Sequence, residues 1–339
     1  MGSGAPSSAR HNRAMLKNVL LLGGGGFVGR HVCEKLARLR LRMTVPTRRL
    51  PHAAAVLTLP QVQGVQADVH DPAQLARLLA GHDAVVNLVA ILQGTQAAFD
   101  RVHVDLPRSL AHACAQTGVR RVVHISALGV DEAHPESLPS MYLRSKSQGE
   151  QLLHQANLDL TVIRPSVIFG AEDRFLNTFA RLQRFAPFVP LAGAQALLQP
   201  VWVEDVASAV VACLQGPHET GSLGRIYEAT GPQVYTLREL AQWAGRWAGV
   251  AGGRGRAVWP LPDALAQVQA RLMELLPGEP LLSRDNLASL RVPNVATGRY
   301  PGLADLGVQA SSVQAIAPAY LSGLGGRGGL GAYRAGRRL

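Results

Sequence analysis

The sequence predicts an α/β fold in which a doubly wound parallel sheet carries a smaller, α-rich C-terminal lobe. From residue 17 to about residue 170, short runs of β-branched and other apolar residues alternate with longer amphipathic segments. This alternation is typical of βαβ units that share one parallel sheet. After about residue 170 the alternation gives way to helical segments punctuated by proline, which indicates a second unit.

Each predicted element rests on the spacing of its apolar residues. Residues 18–22 (NVLLL) form a continuous apolar run that ends at glycines, as expected of a central strand buried on both faces. Five further strands are predicted at residues 42–46, 63–67, 83–89, 121–126 and 159–164. Apolar residues at three- and four-residue spacing predict helices at residues 27–40, 72–80, 105–117, 142–156, 175–185 and 206–214.

Composition and charge exclude some classes of protein. Of the 339 residues, 47% are hydrophobic and 17% are charged, as in ordinary globular proteins. The formal net charge is +11, and six arginines lie in two ends, residues 1–14 and 323–339, that contain no acidic residue. The rest of the chain therefore has a net charge of +5 (11 − 6). It contains no run of basic residues interleaved with aromatic residues, so a nucleic-acid partner is not expected. A diffuse positive field suits anionic partners such as a pyrophosphate cofactor, an acidic lipid or an acidic protein face.

Cysteine and histidine spacing indicates a reducing compartment and no metal. Cys33, Cys114 and Cys213 form neither a CxxC pair nor a zinc spacing, and we expect them to be buried. The histidines show no metal-ligand spacing, and His124 on a strand is expected to be a core residue. No apolar run reaches about 18 residues, and residues 1–14 lack the apolar core of a secretory signal. We therefore expect a cytoplasmic protein, with peripheral contact to the inner membrane as the alternative.

A glycine-rich loop follows the first predicted strand. Residues 23–29 (GGGGFVG) fit the pattern GxxGxxG, with Gly23, Gly26 and Gly29 in the spaced positions. Glycines permit the tight turn, the close approach of the backbone to a pyrophosphate and helix–strand packing, while the helix N-terminus supplies free N–H groups. A strand before the loop and a helix after it distinguish a dinucleotide site from a structural glycine turn. The sequence therefore predicts a Rossmann domain.

The end of the second strand predicts the choice of cofactor. NAD-preferring folds carry Asp or Glu there to accept from the ribose 2′-OH, whereas this sequence reads Thr47-Arg48-Arg49. The Arg48 guanidinium suits the 2′-phosphate of NADP(H), although two solvated surface arginines would give the same pattern. NADP(H) is predicted, with NAD(H) as the alternative. Asp68, at the end of the third strand, is predicted either to accept from the adenine amino group or to cap its own loop.

Tyr142 and Lys146 form a YxxxK pair near the start of a predicted helix, so their side chains share one face. At a hydride-transfer site, a neighbouring ammonium and the nicotinamide lower a tyrosine pKa from about 10 and allow proton exchange with a carbonyl or alcohol. Lys146 can also hydrogen-bond the nicotinamide ribose. The spacing alone is common on ordinary helices, but its place after the fifth strand makes the pair a candidate catalytic group.

These motifs resemble the extended short-chain dehydrogenase/reductase superfamily, which includes NAD-dependent epimerases and dehydratases. A closer resemblance is to the atypical subgroup typified by the dehydrogenase-like accessory subunit of mitochondrial respiratory complex I. It is carried by residues 142–146 (YLRSK), 168–177 (IFGAEDRFLN) and 199–203 (QPVWV), and it runs on to 301–303 (PGL) and 306–308 (LGV). The resemblance implies further cofactor contacts from Gly25, Phe27, Val28, Val69, Leu88, Val89, Ala90, Ile125, Pro165, Ser166 and Ile168.

One position departs from the superfamily. Its enzymes carry a Ser/Thr pair after the fifth strand, whose second hydroxyl polarises the substrate oxygen, but this sequence reads Ser126-Ala127. Loss of such a donor costs about 100–1,000-fold in rate. Ser126 is expected to satisfy backbone or cofactor groups, with a catalytic role beside Tyr142 as the alternative. The complex I relatives are regarded as holding NADPH without turnover, and the resemblance implies the same here.

These predictions divide the chain into four parts. Residues 1–14 and 323–339 are expected to be disordered, 15–170 to form the Rossmann domain with late strands contributed from about 195–230, and 171–322 to form the smaller lobe for a substrate or partner.

In this lobe, Asp173 is predicted to cap a helix within Glu172-Asp173-Arg174, with a substrate or partner site as the alternative. Glu204-Asp205 is predicted to cap the helix at 206–214. Residues 256–282 are expected either to lie on a membrane surface or partner or to pack on the sheet domain.

Three functions follow from these residues. The first is an NADP(H)-binding protein with weak or no turnover, which serves respiratory complex I or quinone biosynthesis as a structural or assembly factor. The second is an NAD(P)-dependent oxidoreductase or epimerase that acts on a quinone precursor, lipid or nucleotide sugar through Tyr142 and Lys146. The third is a redox sensor whose affinity for a partner depends on the state of its cofactor. Ala127 and the near full-length resemblance favour the first.

Overall fold

The computed structural model describes residues 16–215, 224–275 and 282–324. Of the ends predicted to be disordered, residues 1–14 and 325–339 lie outside these ranges, whereas residues 323 and 324 of the predicted 323–339 tail belong to a 3₁₀ turn at Ser322–Leu324. The strands, in chain order, are β1 (Asn18–Leu22), β2 (Arg42–Thr47), β3 (Val62–Gln66), β4 (Ala84–Asn87), β5 (Arg121–Ile125), β6 (Asp159–Pro165), β7 (Ile168–Phe169), β8 (Phe188–Leu191), β9 (Leu197–Leu198), β10 (Val201–Trp202), β11 (Arg225–Ala229), β12 (Tyr235–Thr236) and β13 (Ala257–Pro260).

The α-helices lie between these strands. In chain order they are α1 (Phe27–Arg38), α2 (Ala54–Leu57), α3 (Pro72–Leu79), α4 (Gln96–Asp100), α5 (Leu106–Thr117), α6 (Met141–Gln155), α7 (Leu176–Phe185), α8 (Val203–Gln215), α9 (Leu237–Trp247), α10 (Asp263–Glu274), α11 (Arg284–Ser289) and α12 (Val313–Leu321).

Seven strands form one sheet in the order β11-β6-β5-β4-β1-β2-β3, and every pair is parallel. Four residues of β1, from Val19 to Leu22, are completely buried, as expected of a central strand covered on both faces. The strand order reverses between β1 and β4, so the carboxyl ends of these two strands open a crevice of the kind that binds ligands in such folds. The predicted doubly wound parallel sheet is confirmed.

Helices cover both faces of this sheet. On one face, α1 and α8 bury Val32, Leu36 and Val210 against it, and on the other, α3, α5 and α6 bury side chains such as Leu75 and Leu110. Each such side chain contributes roughly 1.5–3 kcal/mol relative to exposure. The cysteines are free and buried in these layers, as expected.

The helix before β5 is longer than its sequence pattern predicts. Thr95 caps α4, and a π-helical turn at Arg101–Asp105 joins α4 to α5. The extra residue in this turn breaks the three- and four-residue spacing of apolar side chains. The spacing therefore predicted a helix only at residues 105–117. The turn brings the carbonyl oxygen of His103 to within 1.8 Å of where a Cβ at Gly149 of α6 would stand, and only glycine fits that close approach.

The C-terminal lobe has its own core, formed largely by α7, α9 and α12, and a small cluster beneath α10 and α11. Three two-stranded sheets, β7 with β10, β8 with β13 and β9 with β12, complete it. The prediction that Glu204-Asp205 caps α8 is wrong, because the helix begins at Val203 and both carboxylates lie in its first turn. Asp205 accepts a hydrogen bond from the Ser311 amide at 2.7 Å instead. No helix within the described ranges is both long and apolar enough to span a bilayer.

Candidate functional site

The glycine loop joins β1 to α1 at the crevice. Gly23 has a φ of +85°, and the Gly26 amide closes the turn by donating to the Gly23 carbonyl at 3.0 Å. A Cβ at Gly29 would stand 2.3 Å from that same carbonyl oxygen, so α1 reaches the loop only because residue 29 has no side chain. No described side chain caps α1, and its first turn contains no acidic residue. Its first amides are therefore available to an anion such as a pyrophosphate.

The ends of β2 and β3 carry the predicted ribose and adenine contacts. Arg48 directly follows β2 and is exposed. Asp68 follows β3, where its carboxylate accepts from the His70 amide at 3.0 Å and lies 3.6 Å from the Arg101 guanidinium. The first contact is the loop-capping arrangement that we considered for Asp68. Val69 packs against the core beneath it.

The loop after β4 forms the other wall of the crevice. The Leu88 amide donates to the Leu22 carbonyl at 2.9 Å, and the Leu88 carbonyl carbon and the Val89 amide nitrogen lie 3.2 and 3.3 Å from where a Cβ at Gly23 would stand. Val89 is half-buried, and Ala90 is exposed at the edge of the loop. The glycine loop and the β4 loop are therefore in direct contact, with two of the predicted cofactor residues, Leu88 and Val89, beside Gly23.

Lys146 and Tyr142 lie on the first two turns of α6. The buried Lys146 Nζ donates to the Ile125 carbonyl at the end of β5 at 2.7 Å. Burial lowers the pKa of the Lys146 ammonium to about 8, although Glu150 opposes this shift. Burial also raises the pKa of the Tyr142 phenol to about 12, so the phenol is neutral at physiological pH. The pair therefore combines a neutral phenol with an ammonium that loses its proton more readily than an exposed lysine does, and this ammonium lies at the carboxyl end of β5.

His103, which sequence reasoning missed, fixes the surroundings of Tyr142. Its ring meets the Tyr142 ring edge to face at 5.5 Å between centroids. Its Nε2 accepts from the Ile91 amide at 3.1 Å, and its Nδ1 lies 2.9 Å from the Ser145 Oγ, which itself donates to the Tyr142 carbonyl. This network requires the proton on Nδ1. Burial, with a smaller effect from Lys146, lowers the His103 pKa to about 2, so the ring stays neutral.

Ser126 and Ala127 follow β5 and are both buried. The Ser126 Oγ has no hydrogen-bond partner among the described residues, so it does not satisfy backbone groups as we expected. A buried hydroxyl without a partner costs roughly 1–3 kcal/mol, which a bound cofactor or substrate atom would recover. Ala127 supplies no hydroxyl beside it. The residues after β5 therefore fit a bound dinucleotide but lack the expected second donor.

The loop after β6 is held by the C-terminal lobe. Pro165 ends β6, and the Ser166 Oγ donates to the Asn294 Oδ1 at 2.6 Å. The Val167 amide donates to the same oxygen at 2.9 Å, which leaves Ser166 with its hydroxyl engaged inside the protein. Ile168 follows in β7, where it is half-buried and paired with Val201.

A second lobe residue, Asp285, closes the N-terminus of α6. Its two carboxylate oxygens accept from the Met141 amide at 2.6 Å and the Tyr142 amide at 3.1 Å. Asn286 next to it donates to the Leu92 carbonyl at 3.1 Å. The segment around α11 therefore straps the β4 loop to the helix that carries the Tyr–Lys pair, and sequence analysis gave no signal of it.

Ion pairs connect α6, which carries the Tyr–Lys pair, to β6 and to the loop after β5. The buried Glu150 accepts from the Arg164 Nε at 3.0 Å and from its Nη2 at 2.5 Å, and the Arg164 guanidinium lies 4.9 Å from the centre of the Tyr300 ring. His154 binds Glu132 nearby.

Among the residues that the structure describes, two groups bring potential metal-ligand atoms within 4.8 Å of one another. The first is Glu132, Glu150 and His154, but Arg164 already neutralises Glu150. The other group is His31, Glu34 and Glu204, where Lys35 lies 2.7 Å from the Glu204 carboxylate.

The Asp173 carboxylate accepts hydrogen bonds from backbone amides at the start of α7. It accepts from the amides of Phe175 and Asn177 at 2.9 and 3.1 Å, and from the Tyr320 hydroxyl at 2.9 Å. Glu172 beside it lies 3.1 Å from the Arg30 guanidinium of α1. The carboxylate of Asp173 thus caps the helix, the role that we preferred over a substrate site.

The crevice, the glycine loop and the Tyr–Lys pair together define a dinucleotide-binding protein of the short-chain dehydrogenase/reductase type. A family model described as NAD(P)H-binding matches residues 23–217, more than half of the chain. The chain belongs to this NAD(P)H-binding family, within its extended, epimerase-like group.

Two relatives of this chain are about 30% identical to it. The mouse mitochondrial NADH dehydrogenase [ubiquinone] 1 alpha subcomplex subunit 9 is 31% identical over 303 residues, 87% of this chain and 77% of that protein. A ceramide reductase of Caulobacter vibrioides is 29% identical over 202 residues, 59% of this chain and 61% of that enzyme. The structure of an NADPH-dependent quinone oxidoreductase from Escherichia coli covers 89% of this chain and 99% of its own, with a TM-score of 0.70 at 17% identity, and so shares the fold.

Proposed function

We propose that this chain is an NADP(H)-binding component of respiratory complex I or of quinone metabolism, in which the cofactor serves structure and assembly and turnover is weak or absent. One observation carries the proposal. The glycine loop and the Tyr–Lys pair are both present, but the position where enzymes of this superfamily have a second hydroxyl is occupied by Ala127. The relationship to the mouse NADH dehydrogenase subunit supports the choice of partner.

Different residues of the chain would hold different parts of the cofactor. The first amides of α1 would hold the pyrophosphate, and Arg48 would hold the 2′-phosphate by a charge-assisted contact. Lys146, whose Nζ donates to the Ile125 carbonyl, would hydrogen-bond the nicotinamide ribose, and the free Ser126 hydroxyl would offer a further hydrogen bond to the cofactor. The cofactor, when bound, supplies a hydride. Tyr142 is the residue that would hand a proton to a substrate oxygen, and no second donor polarises that oxygen.

Two measurements test the proposal. Mass spectrometry of the purified protein should find NADPH or NADP+, and isothermal titration should give a lower Kd for NADPH than for NADH. Arg48→Glu should remove that preference, whereas Arg42→Glu, an exposed arginine at the opposite end of β2, should leave it unchanged. A protein that purifies empty and binds neither nucleotide would refute the proposal.

An oxidoreductase or epimerase acting on a quinone precursor, lipid or nucleotide sugar is the second candidate function. The intact Tyr142 and Lys146 favour it, as does the similarity to the ceramide reductase. Tyr142→Phe separates the two functions. An enzyme should lose turnover and keep its cofactor, whereas a structural component should keep its stability, its cofactor and its partner.

A further inference from the structure

The large apolar side chains of helix α10 are exposed to solvent. Its buried residues are the small Ala266 and Ala270, which pack in a cluster with Leu287. The exposed ones follow at three- and four-residue spacing and form what we call the α10 face: Leu265, Val268, Leu272 and Leu275, which are 56%, 54%, 60% and 81% exposed. A helix on a water-soluble surface normally turns its large apolar residues to the core. A contiguous exposed stripe of this kind therefore marks an interaction surface.

An exposed aromatic pair precedes this face. Phe188 of β8 and Trp259 of β13 stack with their ring centres 4.7 Å apart, and both remain exposed. β13 ends three residues before α10 begins, so Trp259 lies on the strand that leads directly into the α10 face. Tryptophan is favoured where one side of a surface is apolar and the other is wet.

The surrounding segments carry a positive charge. Residues 176–191 and 254–275 contain five arginines and two acidic residues, a net charge of +3 (5 − 2). One of the two acids, Glu274, is neutralised by Arg284 at 2.8 Å. Arg181 and Arg184 are exposed and form no ion pair with any described residue, whereas the exposed Arg271 interacts electrostatically with Glu274 of the same helix. Their stems can lie along apolar surface while their guanidinium groups reach an anion.

We propose that the α10 face and Trp259 seat this protein on the surface of an anionic lipid bilayer. The four aliphatic side chains offer no hydrogen-bond donor or acceptor, whereas a specific protein interface carries about one hydrogen bond per 100–200 Å². An exposed apolar stripe in a part of the chain with a net positive charge instead matches the acyl boundary and the phosphates of a membrane. This docking is independent of the cofactor function proposed above.

Sedimentation of the full chain with lipid vesicles tests the proposal. The protein should bind vesicles that contain phosphatidylglycerol, bind pure phosphatidylcholine vesicles much more weakly, and lose affinity at high salt. The double variant Val268→Ser/Leu272→Ser should bind about 100-fold more weakly, roughly tenfold for each apolar side chain. Leu39→Ser, a 40% exposed leucine at the end of α1, is the matched control and should bind as the unaltered protein does.

Two further readouts identify how the surface is used. The fluorescence of Trp259 should shift to shorter wavelength on anionic vesicles, and Trp259→Phe should abolish that shift. Arg184→Gln/Arg271→Gln should reduce the preference for anionic over neutral lipid. Since all of these side chains are exposed, thermal melts of the variants should match the original.

Three results would overturn the proposal. The first is equal binding to neutral and anionic vesicles, and the second is unaltered binding by the Val268→Ser/Leu272→Ser variant. The third is an absence of vesicle binding together with a dimer, seen by light scattering, that the same variant converts to a monomer. That last result would assign the α10 face to a second copy of the chain.

Discussion

Substitution of one glycine should separate cofactor binding from folding. In Gly29→Ala the new Cβ would stand 2.3 Å from the Gly23 carbonyl oxygen and 2.6 Å from both the Cα and the carbonyl oxygen of Gly24. All three are backbone atoms, so no side chain can rotate away, and the loop and α1 must separate by roughly 1 Å to restore ordinary contact. Overpacking of this kind lowers the free energy of unfolding by about 1–3 kcal/mol.

The same movement should weaken NADPH binding by a free energy similar to the loss of stability, in a variant that stays folded. A shift of roughly 1 Å takes one or two loop amides out of the hydrogen-bond range of about 2.7–3.2 Å to a phosphate oxygen. Each charge-assisted bond contributes about 1.5–3 kcal/mol, so the Kd for NADPH should rise about 100-fold.

Isothermal titration measures the Kd, and circular dichroism at the same temperature verifies that the variant is folded. Gly302→Ala is the control, because its Cβ would meet nothing closer than the Glu228 carbonyl oxygen at 3.7 Å and its φ of −106° suits any residue. If Gly29→Ala binds NADPH with the original Kd, the loop does not grip the pyrophosphate as argued.

Three other substitutions test the site and its support. Ala127→Ser should restore a donor beside Tyr142 and raise NADPH-dependent reduction of a quinone by up to about 100-fold, measured by absorbance of the cofactor. Glu150→Gln should leave the buried Arg164 charge without its partner and lower the free energy of unfolding by about 3–5 kcal/mol in a urea titration. His154→Asn should flatten the dependence of stability on pH near neutrality. The hydrogen bond to Glu132 raises the His154 pKa above its ordinary 6.5, so its stabilisation is complete below that value and is lost as pH rises through the raised pKa.

Each of these three predictions has a control or an outcome that would contradict it. Addition of Tyr142→Phe to the Ala127→Ser variant should abolish the gained rate, and a persisting rate would argue against the hydroxyl as the missing part. Asp159→Asn breaks an exposed pair with Arg120 at 3.3 Å and should cost less than about 1 kcal/mol. A Glu150→Gln variant as stable as that control would contradict the reasoning on the buried pair, and an unchanged pH profile in His154→Asn would contradict the assignment of the titrating group.

Local sequence patterns predicted the sheet domain well. The bounds of β1 agree with the prediction, because an apolar run that ends in glycine leaves no other place for the strand to stop. The start of α8 was predicted three residues late, because residues 201–203 (VWV) have a sequence typical of a short extended segment, whereas the helix begins at Val203. Gly29 was identified from spacing alone, and the contact that requires it became visible only in three dimensions.

The parts of the site that were not predicted depend on distant residues. Asp285 bonds the Met141 amide across 144 positions, and Asn294 bonds Ser166 across 128. Both lie in a segment without helical or strand periodicity, so nothing local distinguishes them from loop residues. His103 was hidden by its π-helical turn, which shifts it out of the helical spacing around it. Their roles follow from topology, which brings the end of the chain back over the carboxyl edge of the sheet.

That return has a consequence for synthesis on the ribosome. The outer strand β11 pairs with β6 only after the chain has passed through part of the lobe, and Glu228 of β11 is itself tied to the Thr297 amide at 2.8 Å. Sixty residues separate the end of β6 from the start of β11 (225 − 165), so at about 5–20 residues per second the edge of β6 waits roughly 3–12 seconds for the strand that covers it. An unpaired parallel edge invites pairing with other nascent chains. A chaperone that binds the nascent chain during this interval would protect that edge until β11 covers it.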